Sequence, residues 1–317
     1  MAADWIAAMR AGDFARAWDI SDRDLAALRR AGPVKHQGPR HLQRVWRGEP
    51  LKGRRVLVRC YHGLGDTLQF ARFLAPLRTI AAEVVVWCQP ELLSLIAAVE
   101  GVDRVLPLHE GTPEIDFDVD IEIMEIPHAI RASREQAEIR RPYLSVARIE
   151  VVPPIGAALS IGLVWDVGAW DRRRVVPPEL LRQIGCSGAK LYSLQTGCAS
   201  RAAQEIGAID IHTPDVTLLA ARLQRLDLCI CPDTMVAHLA AGLGRETWIM
   251  LHADCDWRWP AAGGRTFWYP TARLFHQAFP GDWSGVLADI RSAILEKLGS
   301  PSEPNRLARE HEPGRLG

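Results

Sequence analysis

Twice in this chain a short apolar run ends in a turn of small and acidic residues and passes straight into a helix-forming segment. The first junction joins "RRVLVRC" to "YHGLGDTLQF" at 61–70, and the second joins "LDLCIC" to "PDTMVAHLAAGLG", which ends at 244. Around each, strands and helices alternate. In the first half "RRVLVRC", "EVVVWC" and "VDRVLPL" read as strands, and "DTLQFARFLAPLRTIA" and "PELLSLIAAV" as helices. "FDVDIEIMEIP" alternates acid with apolar residues, as an edge strand with one wet face does. The segment "VVPPIGAA", 151–158, reads as a hinge, after which "LSIGLVWD", "AKLYSLQ", "DLCICP" and "ETWIMLH" supply strands. Between those strands "PPELLRQIG", "TLLAARLQRL" and "TMVAHLAAGLG" read as helices, and "WSGVLADIRSAILEKLG" closes the series. Hydrophobic strands alternating with helices imply parallel sheets covered on both faces. Two such halves place a cleft at the carboxyl ends of their strands.

The rest of the chain frames this α/β body. Residues 1–30 read as two helices broken at Gly12-Asp13, with "SDRDLAALRR" opening on Ser21 as a cap. Residues 31–52, with Pro33, Gly38, Pro39 and Pro50, read as a linker. The segments 53–150 and 151–298 are the expected lobes, and 299–317, rich in Pro, Glu, Arg and Gly, is the expected disordered tail. A length of 317 residues suits two domains better than one. Lys plus Arg equals Asp plus Glu at 38 each, so no global field draws the protein to nucleic acid or an anionic membrane. The N-terminus lacks a signal-peptide pattern, and no apolar run is long enough to span a bilayer. Seven scattered cysteines, most of them in strand-like runs, point to a cytoplasmic protein with neither disulfides nor a zinc site.

The two junctions are where chemistry is expected. Asp233 and Thr234 precede a helix that starts near Met235, and a helix N-terminus offers unpaired N–H groups and a positive dipole end that suit a phosphate. Capping the helix is an equally good use for those two side chains. His238 lies one turn further on the same face. In the first junction Gly63 and Gly65 permit close backbone approach and positive φ, and Asp66, Thr67 and Gln69 follow at the cleft rim. A dinucleotide fingerprint needs a third glycine, but position 68 is leucine, and the second strand ends in Gln89 rather than an acid. A nicotinamide cofactor is therefore not expected. A carboxylate at a cleft rim, such as Asp66, suits a general base or an N-cap.

In order, spacing and content the chain resembles glycosyltransferase family 9, the heptosyltransferase-like group. The likeness runs through "VWRGEPLKGRRVLVRCYHGLGDTLQFARFLAPL", "IGLVWD", "CPDTMVAHLAAGLGRETWIMLHADCDWRW" and "FWYPTARLFHQAFPGDW", from about residue 44 to 290. It is closer to the branch found behind tetratricopeptide repeats in bacteria, and "GDFARAW" is similar to part of such a repeat. The resemblance implies a GT-B fold, two Rossmann-like domains facing across a cleft, here with a short N-terminal helical segment. It implies an inverting, metal-independent transfer of a sugar from a nucleotide-diphosphate donor to a glycan or other hydroxyl acceptor, with no cofactor. Carried to matching positions, it makes Asp66 in "GLGD" the base and Gly63, Gly65, Thr67 and Gln69 the acceptor-side loop. Asp233, Thr234, Met235, Val236 and His238 become the donor pocket.

A leaving diphosphate also needs cations aimed at it. "DRRRVV" at 171–176 supplies Arg172 and Arg174 as candidates, with Arg173, and solvated charge is expected for at least two of the three. Asp166 and Val167 depart from the branch's usual small and amide residues here, and an acid is a poor neighbour for a diphosphate. Trp257 or Trp259 can stack on a base or sugar, or close the pocket loop as structure. Arg258 can approach the phosphates or pair with an acid, and Asp254 and Asp256 read as loop carboxylates. Asp116, Asp118 and Asp120 are expected to face water. Two other readings stand beside the enzyme. One is a degenerate transferase domain acting as a nucleotide- or protein-binding module, with the N-terminal helices as the surface for a protein partner. The other, which the family likeness disfavours, is a nucleotide-sugar epimerase.

Overall fold

The computed structural model describes residues 3–32, 39–138, 141–147, 159–168, 171–197 and 200–299. The expected hinge at 151–158 and all of the expected tail at 299–317 except Gly299, which ends a helix, lie outside them. Helices α1 (Ala3–Ala11) and α2 (Phe14–Arg30) come first. The break falls where it was read, at Gly12 with φ 70, but the capping residue is Asp13, whose side chain accepts from Arg16 N at 3.1 Å. Ser21 caps nothing. It sits buried inside α2 and accepts from Trp5 Nε1 at 3.0 Å.

The first lobe is built on β1 (Arg55–Arg59), β2 (Glu83–Cys88), β3 (Arg104–Pro107) and β4 (Val119–Glu122). All pair in parallel in the order β3-β2-β1-β4, with Leu57 opposite Val85 and Asp120. As the acid alternation implied, β4 is an edge strand; Asp118, just before it, and Asp120, within it, pair with Arg55 and Arg59. Helices α3 (Leu64–Phe70), α4 (Leu74–Arg78), α5 (Leu93–Ala97), α6 (Ile126–Ala129) and α7 (Arg134–Ala137) complete it. The long helix expected after β1 is two short ones with a 3-10 turn at Ala71–Phe73 between them.

The second lobe holds β5 (Leu159–Leu163), β6 (Ala189–Ser193), β7 (Ile209–Asp210), β8 (Leu228–Pro232), β9 (Thr247–Leu251) and β10 (Ala272–His276). They form a six-stranded parallel sheet in the order β10-β9-β8-β5-β6-β7. Its helices are α8 (Ser200–Glu205), α9 (Val216–Leu223), α10 (Met235–Gly242) and α11 (Trp283–Gly299). "PPELLRQIG" is a 3-10 helix over Pro178–Ile184 rather than an α-helix. Every residue of β8 and β9 is buried, as central parallel strands are.

One apolar core spans both lobes and also takes in Met9, Phe14, Ala17 and Trp18 of the N-terminal helices, and a second lies under the far face of the second lobe's sheet, around Ile161, Leu228 and Ile290. Gly242 O accepts from Tyr143 N and Leu144 N at 3.2 Å, and a Cβ on Gly242 would come 2.6 Å from Leu144 Cδ1. Buried Arg72 donates to Ala137 O at 2.7 Å and to Trp268 O at 2.6 Å, so one guanidinium ties the lobes together. The N-terminal helices pack onto the lobes. Trp5 packs edge-on against Trp257 at 4.9 Å, Arg10 donates to Cys255 O at 2.7 Å, and Trp18 Nε1 donates to Ala132 O at 2.8 Å. Their apolar faces are buried against both lobes, which is not the open surface the interaction-module reading needs. The described part of the expected linker is likewise a packed strap. Trp46 is buried, and Arg40 lies over the rings of Tyr61 and Trp87 at 5.4 and 5.3 Å. The six described cysteines are free thiols, and among the described residues no helix is long and apolar enough to cross a membrane.

Candidate functional site

Both junctions open at the carboxyl ends of their central strands, and both face one cavity of about 710 Å³ between the lobes. Gly63, Gly65 and Asp66 line it from the first lobe, and Asp233, Thr234, Met235 and His238 from the second. Gly65 has the tightest approach. A Cβ there would lie 3.0 Å from His238 Cδ2 and 3.4 Å from Met235 Cα, so any side chain would push the two turns apart. The positive φ expected of this glycine pair is absent: Gly63 is extended at φ −69, and neither glycine is in the left-handed region.

On the second wall α10 begins with Thr234 as N-cap, extended at φ −143, and the Thr234 side chain makes no capping hydrogen bond among the described residues. Thr234 Oγ1 is buried and has no hydrogen-bond partner among the described residues. An orphan hydroxyl beside the open N–H groups of a helix start is a site for an acceptor-rich ligand. Asp233 is not the cap. Arg174 donates to its carbonyl at 2.9 Å and lies 3.4 Å from Oδ2, while burial pushes the carboxyl's pKa up against the pull of that arginine. His238 is buried, its Nδ1 2.8 Å from Tyr269 OH and its Nε2 3.7 Å from Asp233 Oδ1. Burial, with Arg258, Arg72 and Arg174 nearby, pushes its pKa well down, so the imidazole is neutral.

On the first wall Asp66 lines the cavity with both oxygens engaged. Oδ2 accepts from Gly63 N at 2.9 Å, as the third-position half of a capping box, and Oδ1 pairs with Arg258. Arg258 is the hub of the site. It also donates from Nη1 to Asp256 Oδ1 at 2.8 Å and from Nε to Gln69 Oε1 at 2.7 Å, so it lines the cavity paired with acids. The cavity thus carries the carboxylates of Asp66, Asp171, Asp233 and Asp256 against the guanidiniums of Arg174 and Arg258. Asp171, which the sequence reading missed, is held down to about 2 by its bonds with Arg173.

Several expected site residues lie elsewhere. Thr67 and Gln69 are fully buried beneath the rim: Thr67 donates to Gln89 Oε1 at 3.0 Å, and Gln69 supports Arg258. Val236 is buried and is not part of the cavity lining. Arg172 is 61% exposed and pairs with Asp166 at 2.6 Å, outside the cavity, and Arg173 reaches Asp171 and Asp254. Of the three arginines only Arg174 enters the cavity, in line with the expected two solvated charges. Trp259 is fully buried and stacks on His238 at 5.7 Å, which makes it structural, whereas Trp257 does line the cavity. The D-x-D pair divides: Asp254 is 83% exposed, and Asp256 faces the cavity. Also unforeseen is His62, which lines the cavity and whose Nδ1 lies 2.9 Å from the buried carboxylate of Glu122.

Known proteins sharpen this picture. E. coli ADP-heptose LPS heptosyltransferase II superposes with a TM-score of 0.56 at 12% identity, covering 77% of this chain and 99% of that one. The glycosyl transferase family 9 structure from Veillonella parvula gives 0.54 at 13% identity, covering 78% and 98%. The fold is GT-B. E. coli heptosyltransferase WaaC with ADP gives 0.53 at 14% identity, covering 76% and 99%. No protein-family model matches the chain. By sequence it is 24% identical over 304 residues to protein FlbA of Caulobacter vibrioides, covering 80% of this chain and 48% of FlbA. The chain therefore spans about half the length of that curated relative. In this GT-B frame the α3 and α10 turns are opposite walls of the interlobe cleft, and the phosphate-suited turn belongs to the second lobe.

Proposed function

We propose that the protein is a glycosyltransferase that moves a sugar from a nucleoside-diphosphate donor to an acceptor hydroxyl, with inversion, in bacterial glycan assembly. The observation that carries this reading is the start of α10, with the orphan Thr234 hydroxyl, facing a carboxylate across the cleft. The N–H groups of Thr234 to Val236, with Arg174, hold the diphosphate. The acceptor oxygen bonds to the anomeric carbon from the face opposite the leaving group, and the bond to the diphosphate oxygen breaks with its electron pair. The hydroxyl proton passes to Asp66. For that, Arg258 must leave Asp66, and an arriving diphosphate draws it away. Charge is met by side chains and the helix dipole, without a metal. The GT-B likeness to proteins named as heptosyltransferases makes ADP the first nucleotide to try.

A second reading, a degenerate nucleotide-binding module, draws on the same cavity, whose two guanidiniums are already paired with acids. Thermal unfolding in ADP, UDP and GDP separates the readings. One nucleotide at about a hundredfold over its Kd adds about 2.7 kcal/mol, and Thr234→Val with Asp233→Asn removes that gain. Release of diphosphate from a matching nucleotide sugar supports transfer, and binding without release supports the module. If no nucleotide stabilises the protein, both fall.

A further inference from the structure

Behind the donor cavity stands a row of polar side chains that the transfer chemistry above leaves idle. Arg72 lies on the 3-10 turn between α3 and α4, Tyr143 on the segment 141–147, and Tyr269 ahead of β10. Arg72 and Tyr269 are buried, at 2% and 1% exposed. Arg72 Nη2 donates to Tyr143 OH at 3.2 Å, the two phenol oxygens are 3.4 Å apart, and Tyr269 OH lies 2.8 Å from His238 Nδ1. The guanidinium is also bonded to the carbonyls of Gln69, Ala137 and Trp268, so it is fixed at its end of the row.

The row has a direction, set by what each group can donate. A guanidinium only donates, so the Tyr143 oxygen accepts from Arg72 and its own proton passes on toward Tyr269. The Tyr269 oxygen accepts on that side, and its proton goes to His238 Nδ1, the nearer of its two neighbours. A neutral imidazole that accepts at Nδ1 carries its proton on Nε2. The reverse order would turn the Nε2 lone pair toward Asp233 Oδ1, 3.7 Å away. The ring is held in this pose, nearly parallel to Trp259 at 16° between planes and with its Cδ2 edge toward Gly65.

We propose that Arg72, Tyr143 and Tyr269 are positioning residues, which hold His238 in its Nε2–H form and so aim one N–H at the donor's diphosphate. The tautomer stands on the row alone, and its use rests on the transferase reading above. Phosphate oxygens are strong acceptors. The other tautomer would set a lone pair against them, whereas an N–H already in place needs no rearrangement when they arrive. The 3.7 Å between Nε2 and Asp233 Oδ1 is too long for a hydrogen bond, which leaves that N–H for an incoming oxygen.

Long-range proton–nitrogen NMR of the full chain, with isotope-labelled histidine and His238→Asn for assignment, shows which ring nitrogen carries the proton. Wild type is expected to give the neutral Nε2–H pattern for His238. Tyr269→Phe is expected to lose it as the single form. The same change is expected to raise the Kd of whichever of ADP, UDP or GDP stabilises the protein by about tenfold, the worth of one hydrogen bond to a charged group. Tyr143→Phe, on a side chain partly open to water, is expected to shift the tautomer ratio the same way, and no shift removes Tyr143 and Arg72 from the row. An Nδ1–H or doubly protonated ring in the wild type overturns the proposal and leaves the donor reading standing. So does an Nε2–H form that Tyr269→Phe leaves as the single one. A changed tautomer with an unchanged Kd strikes out the diphosphate as the target of that N–H. If no nucleotide stabilises the wild type, the donor reading falls and takes the target with it, while the spectrum still decides the tautomer.

Discussion

Arg258→Met is expected to destabilise the protein by about 3 kcal/mol, the low end of the roughly 3–5 kcal/mol lost when one partner of a buried ion pair is removed. The guanidinium is 9% exposed and meets the carboxylates of Asp66 and Asp256 and the amide oxygen of Gln69. It also lies 4.6 Å from the ring centre of Trp257. Methionine keeps much of the volume and none of the donors, so two acids would face each other across the cleft with no cation between them. Their side chains, at 25% and 23% exposed, still reach some water, which is why the low end applies. Adding Asp66→Asn to Arg258→Met should recover part of the loss, because one unpaired charge is gone. Urea midpoints of the two singles and the double give the coupling. A single change within about 1 kcal/mol of wild type, with no recovery in the double, would show that Arg258 does not hold the walls together.

Asp66→Asn is expected to slow release of diphosphate from a nucleotide sugar by about 10²–10⁴-fold, the usual range for loss of a positioned proton acceptor. Nucleotide stabilisation should be retained or improved, since Arg258 loses a competing carboxylate and turns to the phosphates. The effect should fall on kcat rather than KM. A mutant that turns over at the wild-type rate removes Asp66 from the chemistry and leaves it as the capping-box residue it already is.

Much of this frame was legible in the sequence, because strand–helix alternation follows from burial on both faces of a parallel sheet. The break at Gly12-Asp13, the edge character of β4 and the span of α11 all come from such local rules. What escaped depends on contacts distant in sequence or on direction about an axis. β7 has two residues and carries no period, and β10 lies in an aromatic-rich stretch without a clean strand pattern. At the start of α3 the side chains of Thr67 and Gln69 turn into the lobe while Asp66 turns out, a distinction that a list of rim residues cannot carry. Arg172 and Arg174 lie on one 3-10 turn, yet only the second reaches Asp233. The role of Arg258 comes from Asp66, 192 positions away, and no local pattern announces it. That the N-terminal helices pack against both lobes is equally a matter of contacts distant in sequence, such as Trp5 with Trp257.

The most direct test is a crystal structure with whichever of ADP, UDP or GDP stabilises the protein most. The account predicts diphosphate oxygens within hydrogen-bond distance of the backbone N–H groups of Thr234 to Val236 and of the Arg174 guanidinium, with Arg258 withdrawn from Asp66. A nucleotide bound away from the start of α10, or one that leaves the Arg258–Asp66 pair closed, would contradict it.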